Sequence, residues 1–275
     1  YLYDGSHLRF GRVINSTSKT SDRGVQIYVE SQYATNIITK EDKADIELYS
    51  TYINSEVSAS RLSIDASNAS YPAKIYNTIL EGVYFFTSDG NNYDVYRLTI
   101  ISAQYGLYRC SGEFDDILIY GTSYMMGPST NTNATIKNLV SKENTYFAYI
   151  GPNVNTHQYF INPVVDNWNF YAWYTSNITF HRQYEFDLKV IDNKTAGISY
   201  PITGATVNIN SSANYEHCFN NITTTNSIGQ IGTQIIEMGY YNRTGGDTIY
   251  SCNPYRFVIQ KSGYETLNFT TNITE

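Results

Sequence analysis

Five short β-rich runs between residues 70 and 175 repeat one pattern, and this repeat limits the possible folds more than any other feature of the chain. They are IYNTILEGVYFF (75–86), YRLTIISAQYGLY (96–108), DDILIYGTSYMM (115–126), IKNLVSKENTYFAY (136–149) and INPVVDNWNFYAW (161–173). Each has an apolar pair, a small or polar step, then a short aromatic run. The pairs are Ile79-Leu80, Ile100-Ile101, Leu118-Ile119, Leu139-Val140 and Val164-Val165, and their first members are 21, 18, 21 and 25 residues apart. Short strands at a period near 21 with no helical pattern between them indicate a solenoid. One rung cannot bury its inward side chains alone, whereas rungs stacked ~4.8 Å apart let each Ile, Leu or Val pack on its equivalents above and below. Loops of unequal length leaving at the corners would make the period wander. An antiparallel β-sandwich with evenly spaced strands is the competing arrangement. The opening residues continue the pattern less regularly in HLRFGRV (7–13), GVQIYV (24–29), DIELYSTYI (45–53) and RLSIDAS (61–67).

Over residues 1–180 this rung pattern resembles the right-handed parallel β-helix family, the pectate-lyase-like superfamily that includes many archaeal surface proteins. The resemblance implies an all-β first domain. It also directs attention to carboxylates, because glycosidases need two acids flanking the scissile bond. Asp115-Asp116 is the one Asp pair in the predicted helix, and the Asn-Thr-Asp, Gly-His-Gly and Arg-Ile-Lys motifs of polygalacturonases are missing. The pair reads as a solvated turn, and no catalytic residue is assigned. His7, His157, His181 and His217 are isolated in sequence and show no metal-ligand spacing, so no metal or cofactor is expected.

From about residue 183 the pattern changes. YEFDLKVID (184–192) alternates, with Phe186, Leu188 and Val190 on one face and Glu185, Asp187 and Lys189 on the other, as in a half-buried antiparallel strand. Val190 and Asp192, then Pro201, Ile202, Gly204, Ala205, Val207 and Ile209, then a turn at 226–229, then Val258, Gly263 and Tyr264 follow in order. This series resembles the carboxypeptidase regulatory-like domain. The resemblance implies a transthyretin-like β-sandwich over 183–275 that serves as a stalk or spacer without chemistry of its own. Of the three cysteines, Cys218 and Cys252 lie in this segment and suggest a bridge, while Cys110 reads as a buried thiol.

Composition bears on compartment. Ten N-x-[ST] sequons occur, at Asn15, Asn68, Asn133, Asn177, Asn193, Asn210, Asn221, Asn242, Asn268 and Asn272. With 28 Asn and 54 Ser or Thr among 275 residues, chance gives 28 × 54/275, about 5.5. Ten therefore points to N-linked glycans and an extracellular or cell-surface location. The start YLYDG, with neither Met nor leader, reads as a processed secreted chain or a fragment. No run approaches the ~20 apolar residues of a transmembrane segment. Net charge is −7 and basic residues are scattered, which argues against nucleic acid.

Charged residues make up only 16% of the chain, while Tyr numbers 28. Aromatics recur in the second run of each rung: Tyr84-Phe85-Phe86, Tyr105 to Tyr108, Tyr124, Tyr146-Phe147, Tyr149, Phe170-Tyr171, Trp173 and Tyr174. Simple alternation would send half inward as a core ladder and half outward, to pack on copies of the chain or stack on sugars. The functional expectation is a non-enzymatic structural glycoprotein of an archaeal surface layer, sheath or filament, a homopolymer or lattice of copies of itself, in contact with extracellular polysaccharide. A carbohydrate-binding or carbohydrate-cleaving β-helix, such as an adhesin or viral tailspike, is the alternative. The closing LNFTTNITE reads as a last strand, with Leu267, Phe269, Thr271 and Ile273 inside and Asn268 and Asn272 bearing sugar outside.

Overall fold

The computed structural model describes residues 7–10, 13–15, 20–21, 25–29, 36–40, 45–66, 70, 73–90, 93–128, 133–152, 154–172, 176–195, 198–243 and 248–274. For 7–10, 13–15, 20–21, 25–26, 28–29, 36–39, 45, 66, 88–90, 193–195 and 198 only the backbone is described. The chain divides into two compact units, Tyr1–Thr179 with Arg243–Gly246, and Phe180–Asn242 with Asp247–Glu275.

The first unit is a β-solenoid of about five turns. Its strands form three parallel rows, as expected of a parallel β-helix. One turn runs Gly112–Asp115, Leu118–Tyr120 and Tyr124–Gly127, and the next runs Ala134–Lys137, Val140–Lys142 and Tyr146–Ile150. Each strand pairs in parallel with its counterpart one turn on. Strands at Asp45–Tyr49, Thr51–Ser55 and Ser60–Ala66 carry the same three rows toward the N-terminus.

Inward side chains stack in columns. The first row buries Leu48, Ile75, Val95, Phe114, Ile136 and Phe160 in register. The third row stacks Leu62, Phe85, Leu107, Met126, Ala148 and Phe170. In the second row the column is Ile53, Leu80, Ile100, Ile119, Ser141 and Val165. The one polar member, Ser141, is buried but accepts a hydrogen bond from Asn144 Nδ2 at 2.8 Å. Asn144 Oδ1 in turn accepts from the Thr122 amide and hydroxyl of the preceding turn, so the group is satisfied.

This register turns one member of each apolar pair inward. Adjacent strand residues point to opposite sides, so Leu80, Ile100 and Ile119 are buried while Ile79 and Leu118 stay 38% and 36% exposed. Leu139 is buried at a corner, and Val140, not Leu139, is the partner of Leu118.

Corners between the first and second rows share one device. Ser50, Asn77, Arg97, Asp116, Asn138 and Asn162 all have φ between 49° and 59°, a left-handed residue that turns the chain sharply. Asp116 N donates to Lys137 O and Asn138 N to Ile161 O, so even the corners continue the ladder. At the next corner Gly82 has φ 64°, and a Cβ there would sit 2.0 Å from Ser55 O. Glycine is required at that point by close backbone approach.

The second unit is antiparallel. Thr206–Ser211 lies between Asn220–Thr224 and Tyr255–Gln260, and Leu267–Thr271 pairs with the outer side of Tyr255–Gln260. Gln234–Asn242 and Thr248–Ser251 form a hairpin, and Ile191–Thr195 pairs with Ile198–Pro201. One core gathers Val207, Ile209, Ile236, Tyr255, Phe257 and Ile259, and Phe186, Leu188 and Val190 pack against it. Glu185, Asp187 and Lys189 are exposed, so the expected alternation holds across 185–190, although the regular strand ends at Phe186. Cys218 and Cys252 are joined by a disulfide with a Cα–Cα distance of 5.3 Å, and Cys110 is a buried free thiol.

Candidate functional site

The third row of the solenoid carries a dense aromatic surface among the described residues. Each of its middle strands places two adjacent residues inside: Gly106-Leu107, Met125-Met126 and Phe147-Ala148 are all buried. The residues on both sides of each pair are then free to face outward. Tyr105 and Tyr108, Tyr124, and Tyr146 and Tyr149 are all half-buried, as is Tyr171 on the following strand. Of the recurring aromatics, Tyr84, Phe85, Phe86 and Phe147 are buried, while Tyr105, Tyr108, Tyr124, Tyr146, Tyr149, Phe170 and Tyr171 are half-buried. The inward slots belong to Phe85, Leu107, Met126, Ala148 and Phe147, and the tyrosines of the middle strands flank them. Trp173 and Tyr174 lie outside the described residues.

The tyrosines form two columns along the stacking direction. Tyr105, Tyr124 and Tyr146 are in register, with successive ring centroids 5.2 and 5.6 Å apart and planes within 25° of parallel. In the second column Phe86 stacks on Tyr108 at 5.7 Å and Tyr149 on Tyr171 at 5.9 Å. Between them stands Gly127, where a Cβ would lie 2.4 Å from the Tyr108 ring, so glycine lets that ring lie over the sheet. Cross-contacts close the surface: Tyr105 to Tyr108 at 4.5 Å, Tyr124 to Tyr149 at 5.3 Å and Tyr146 to Tyr171 at 5.0 Å. Burial, then the neighbouring tyrosines, push the pKa of Tyr105 and Tyr124 up, so their hydroxyls stay protonated. Neither column contains a carboxylate or an ammonium. The guanidinium groups of Arg61 and Arg109 lie over Phe86 at one end, 4.7 and 5.7 Å from its centroid.

The second row presents a different surface. Ile79, Thr99, Leu118, Val140 and Val164 share one outward register line. Val164 is 51% exposed, and Tyr120 beside Leu118 is also exposed. Ile79, Leu118, Val140 and Val164 are the outward members of their apolar pairs, and Thr99 interrupts the line between Ile79 and Leu118.

Asp115 and Asp116 sit at a corner as a turn pair. Asp115 accepts from Asn138 Nδ2 at 2.9 Å, and Arg97 Nε reaches Asp116 at 3.3 Å across exposed surface. The four histidines are not all isolated. His181 is buried in the second unit, with Nδ1 3.1 Å from Glu237 Oε2, and its ring centroid is 5.0 Å from that of His217. Arg182 N and Gln183 Nε2 also donate to the Glu237 carboxyl. Burial pushes the Glu237 carboxyl up to about 8 and the His181 imidazole down to about 4, making a neutral pair. Sequence reading missed this cluster because its members are 36 and 20 residues apart. No group of three His, Cys, Asp or Glu able to hold a metal exists among the described residues.

Among the sequons, Asn133, Asn177, Asn221, Asn268 and Asn272 are exposed, and Asn210 and Asn242 are half-buried. Asn68 lies outside the described residues, and for Asn15 and Asn193 only the backbone is described. Several amides join local networks. Asn133 Oδ1 accepts from Thr156 Oγ1 and the His157 amide, and Asn221 Nδ2 donates to Gln234. The closing strand Leu267–Thr271 is an edge strand. There Phe269 stacks on Phe257 and Ile273 is buried, but Leu267 is 55% exposed and Thr271 is also exposed. Those last two correct the expected inner face: an edge strand with one neighbour buries only the side chains that reach the core.

No helix among the described residues is long and apolar enough to cross a membrane. Comparison with protein-family models, with curated proteins and with solved structures finds no match for this chain.

Proposed function

We propose that this chain is a non-enzymatic extracellular structural glycoprotein that associates with copies of itself in an archaeal cell-surface layer, sheath or filament. The observation that carries the reading is the uncharged outward line of Ile79, Thr99, Leu118, Val140 and Val164 on the second row, aliphatic at all positions but Thr99. Contiguous exposed apolar surface on a soluble domain marks an interaction site. A straight, uncharged line at a constant rung spacing is self-complementary: two copies related by a two-fold axis lay the same line against itself.

The extracellular part of the reading is supported by the Cys218–Cys252 disulfide, since disulfides persist in oxidising compartments. Glycosylation is supported by the sequon excess and by five exposed acceptor side chains. The antiparallel second unit is read as a transthyretin-like sandwich acting as a spacer, on the order of its motifs and its single core. Archaeal origin rests on the resemblance of the rung pattern to surface proteins and on the sequon density. The absence of catalytic activity rests on the corner contacts that occupy Asp115 and Asp116.

Sedimentation of purified protein tests the association. The wild type is expected to form multimers as concentration rises, and L118K with V164K to remain monomeric with an unchanged β-sheet signal. Stability should move by less than about 0.5 kcal/mol, because both sites are on the surface. A wild type that stays monomeric at high concentration ends the reading. Intact mass before and after deglycosylation checks sequon use separately.

A further inference from the structure

In the four-stranded sheet of the C-terminal unit, Thr206–Ser211 and Tyr255–Gln260 lie inside, while Asn220–Thr224 and Leu267–Thr271 form the two edges. Among the described residues neither edge has a further strand on its outer side. We propose that N-linked glycans at Asn221 on one edge, and at Asn268 and Asn272 on the other, block strand pairing with a second copy. This inference rests on the glycosylation reading above but not on the second-row contact.

An open edge offers unpaired N–H and C=O groups to any passing strand. Paired and unpaired positions alternate along an antiparallel ladder. Ser211 N donates to Phe219 O and Thr225 N to Ala205 O, so Asn220, Ile222 and Thr224 turn their backbone groups to the free side. Carried across the sheet, the same alternation turns those of Asn268 and Thr270 to the opposite free side. Proteins commonly protect such edges with charge, proline or a bulge. Neither NNITT nor LNFTT contains a charge or a proline, and both pair with their neighbours in unbroken register. Ile222 and Leu267 are moreover exposed. What each edge does hold is an exposed acceptor asparagine, Asn221 in one and Asn268 in the other, with Asn272 one residue beyond.

The local contacts leave room for attachment. Transfer joins Asn Nδ2 to the anomeric carbon of a phosphate-activated glycan. The phosphate departs with the C–O electron pair and takes up one amide proton. The second Nδ2 proton remains. Asn221 uses only that one, since Nδ2 donates to Gln234 Oε1 at 2.7 Å. Its Oδ1 accepts from the outward Ile222 amide at 2.8 Å. At Asn268 the contact is on Oδ1, which accepts from Arg256 Nε at 3.0 Å and is not the atom that carries sugar. A strand added beside Asn268 would bring its own side chain to about 4.5–5.5 Å, Cβ to Cβ, where the first sugar would stand. Asn210 makes the contrast: it is half-buried on an inner strand between Asn220 and Arg256, and is expected to stay bare.

Peptide mass spectrometry of the native full chain should find sugar on Asn221, sugar on Asn268 or Asn272, and none on Asn210. Sedimentation then tests the role in the L118K with V164K background, which removes the second-row contact. The glycosylated chain should be monomeric there. Adding N221Q, N268Q and N272Q should produce association at concentrations at least about tenfold lower. Adding T223A, T270A and T274A instead should do the same, because it removes the sequons but keeps the asparagine contacts. I222K with L267K, placed on top of either set, should restore the monomer through edge charge. Glycan-free chains that stay monomeric overturn the proposal, as does association that survives the two lysines. An edge without sugar overturns it too. Sequons bare throughout would end the glycosylation reading as well, whereas occupied edges whose loss changes nothing end this inference alone.

Discussion

The solenoid and the C-terminal unit bury apolar residues by opposite means. In the solenoid each inward side chain meets its own equivalents one turn above and below. Ile119, for example, stands between Ile100 and Ser141 in a single column. Stability in such an array is close to a sum of turn and neighbour terms, so damage stays local. The C-terminal unit has one shared core, and its ties join distant residues: Cys218 to Cys252 across 34 positions, and His181 to Glu237 across 56. Repetition lets the first unit tolerate varied residues in one column, whereas the second depends on a few particular long-range pairs.

Phe114→Ala attacks the first design. Phe114 is fully buried between Val95 and Ile136 and makes edge contacts with Phe85 at 6.0 Å. The expected loss is about 3–5 kcal/mol. Hydrogen exchange should show lowered protection concentrated in Tyr93–Ile101 and Ala134–Lys137, with the C-terminal unit unchanged. Uniform loss across both units would show that the turns do not behave as near neighbours. Cys218→Ser with Cys252→Ser attacks the second design. It opens a loop of 34 residues, worth about 3–4 kcal/mol in the chain-entropy picture. The thermal transition of the C-terminal unit should fall while solenoid protection stays in place. A transition that does not move removes the staple from the comparison.

The two regions also differed in how much their sequences disclosed. The solenoid was legible as a period, because stacking demands an apolar residue once per turn. Its register was not, because successive members of the Leu80, Ile100, Ile119, Ser141 and Val165 column are 20, 19, 22 and 24 residues apart. Two adjacent apolar residues look equivalent in sequence, yet only one faces in, and at Leu139 the corner takes the position expected of the strand. The left-handed corner residues include Asn, Asp, Arg and Ser, so no single letter marks them. The tyrosine surface was half legible. Alternation fails where Gly106-Leu107 and Met125-Met126 both turn inward, a local step that period-two reasoning does not anticipate. In the C-terminal unit the alternation at Phe186, Leu188 and Val190 was readable from the strand period. The His181, His217 and Glu237 cluster was not, because only tertiary folding brings those residues together.

That cluster yields the smallest predicted effect and the sharpest contrast, since the solenoid has no counterpart to it among the described residues. Glu237 is held neutral by burial, with its pKa raised from 4.5 to about 8. Its contribution to stability is complete below pH 4.5 and is lost as pH rises through about 8, because the unfolded chain ionises first. His181 behaves in the opposite sense. Burial lowers it from 6.5 to about 4, so its contribution is complete above pH 6.5 and is lost as pH falls through about 4. Between pH 4.5 and 6.5 the two slopes offset one another. Between 6.5 and 8 the carboxyl acts alone, and at about 1.36 kcal/mol per pH unit the C-terminal unit should lose about 2 kcal/mol. Glu237→Gln keeps a neutral group of the same shape beside His181 and Gln183, so its thermal midpoint should rise with pH up to 6.5 and then stay level. The measurement is calorimetry of both proteins across this range, with hydrogen exchange assigning the change to a unit. A wild-type midpoint that holds steady from pH 6.5 to 8, or a variant that falls in parallel with it, would show that the buried carboxyl is not neutral in the folded chain.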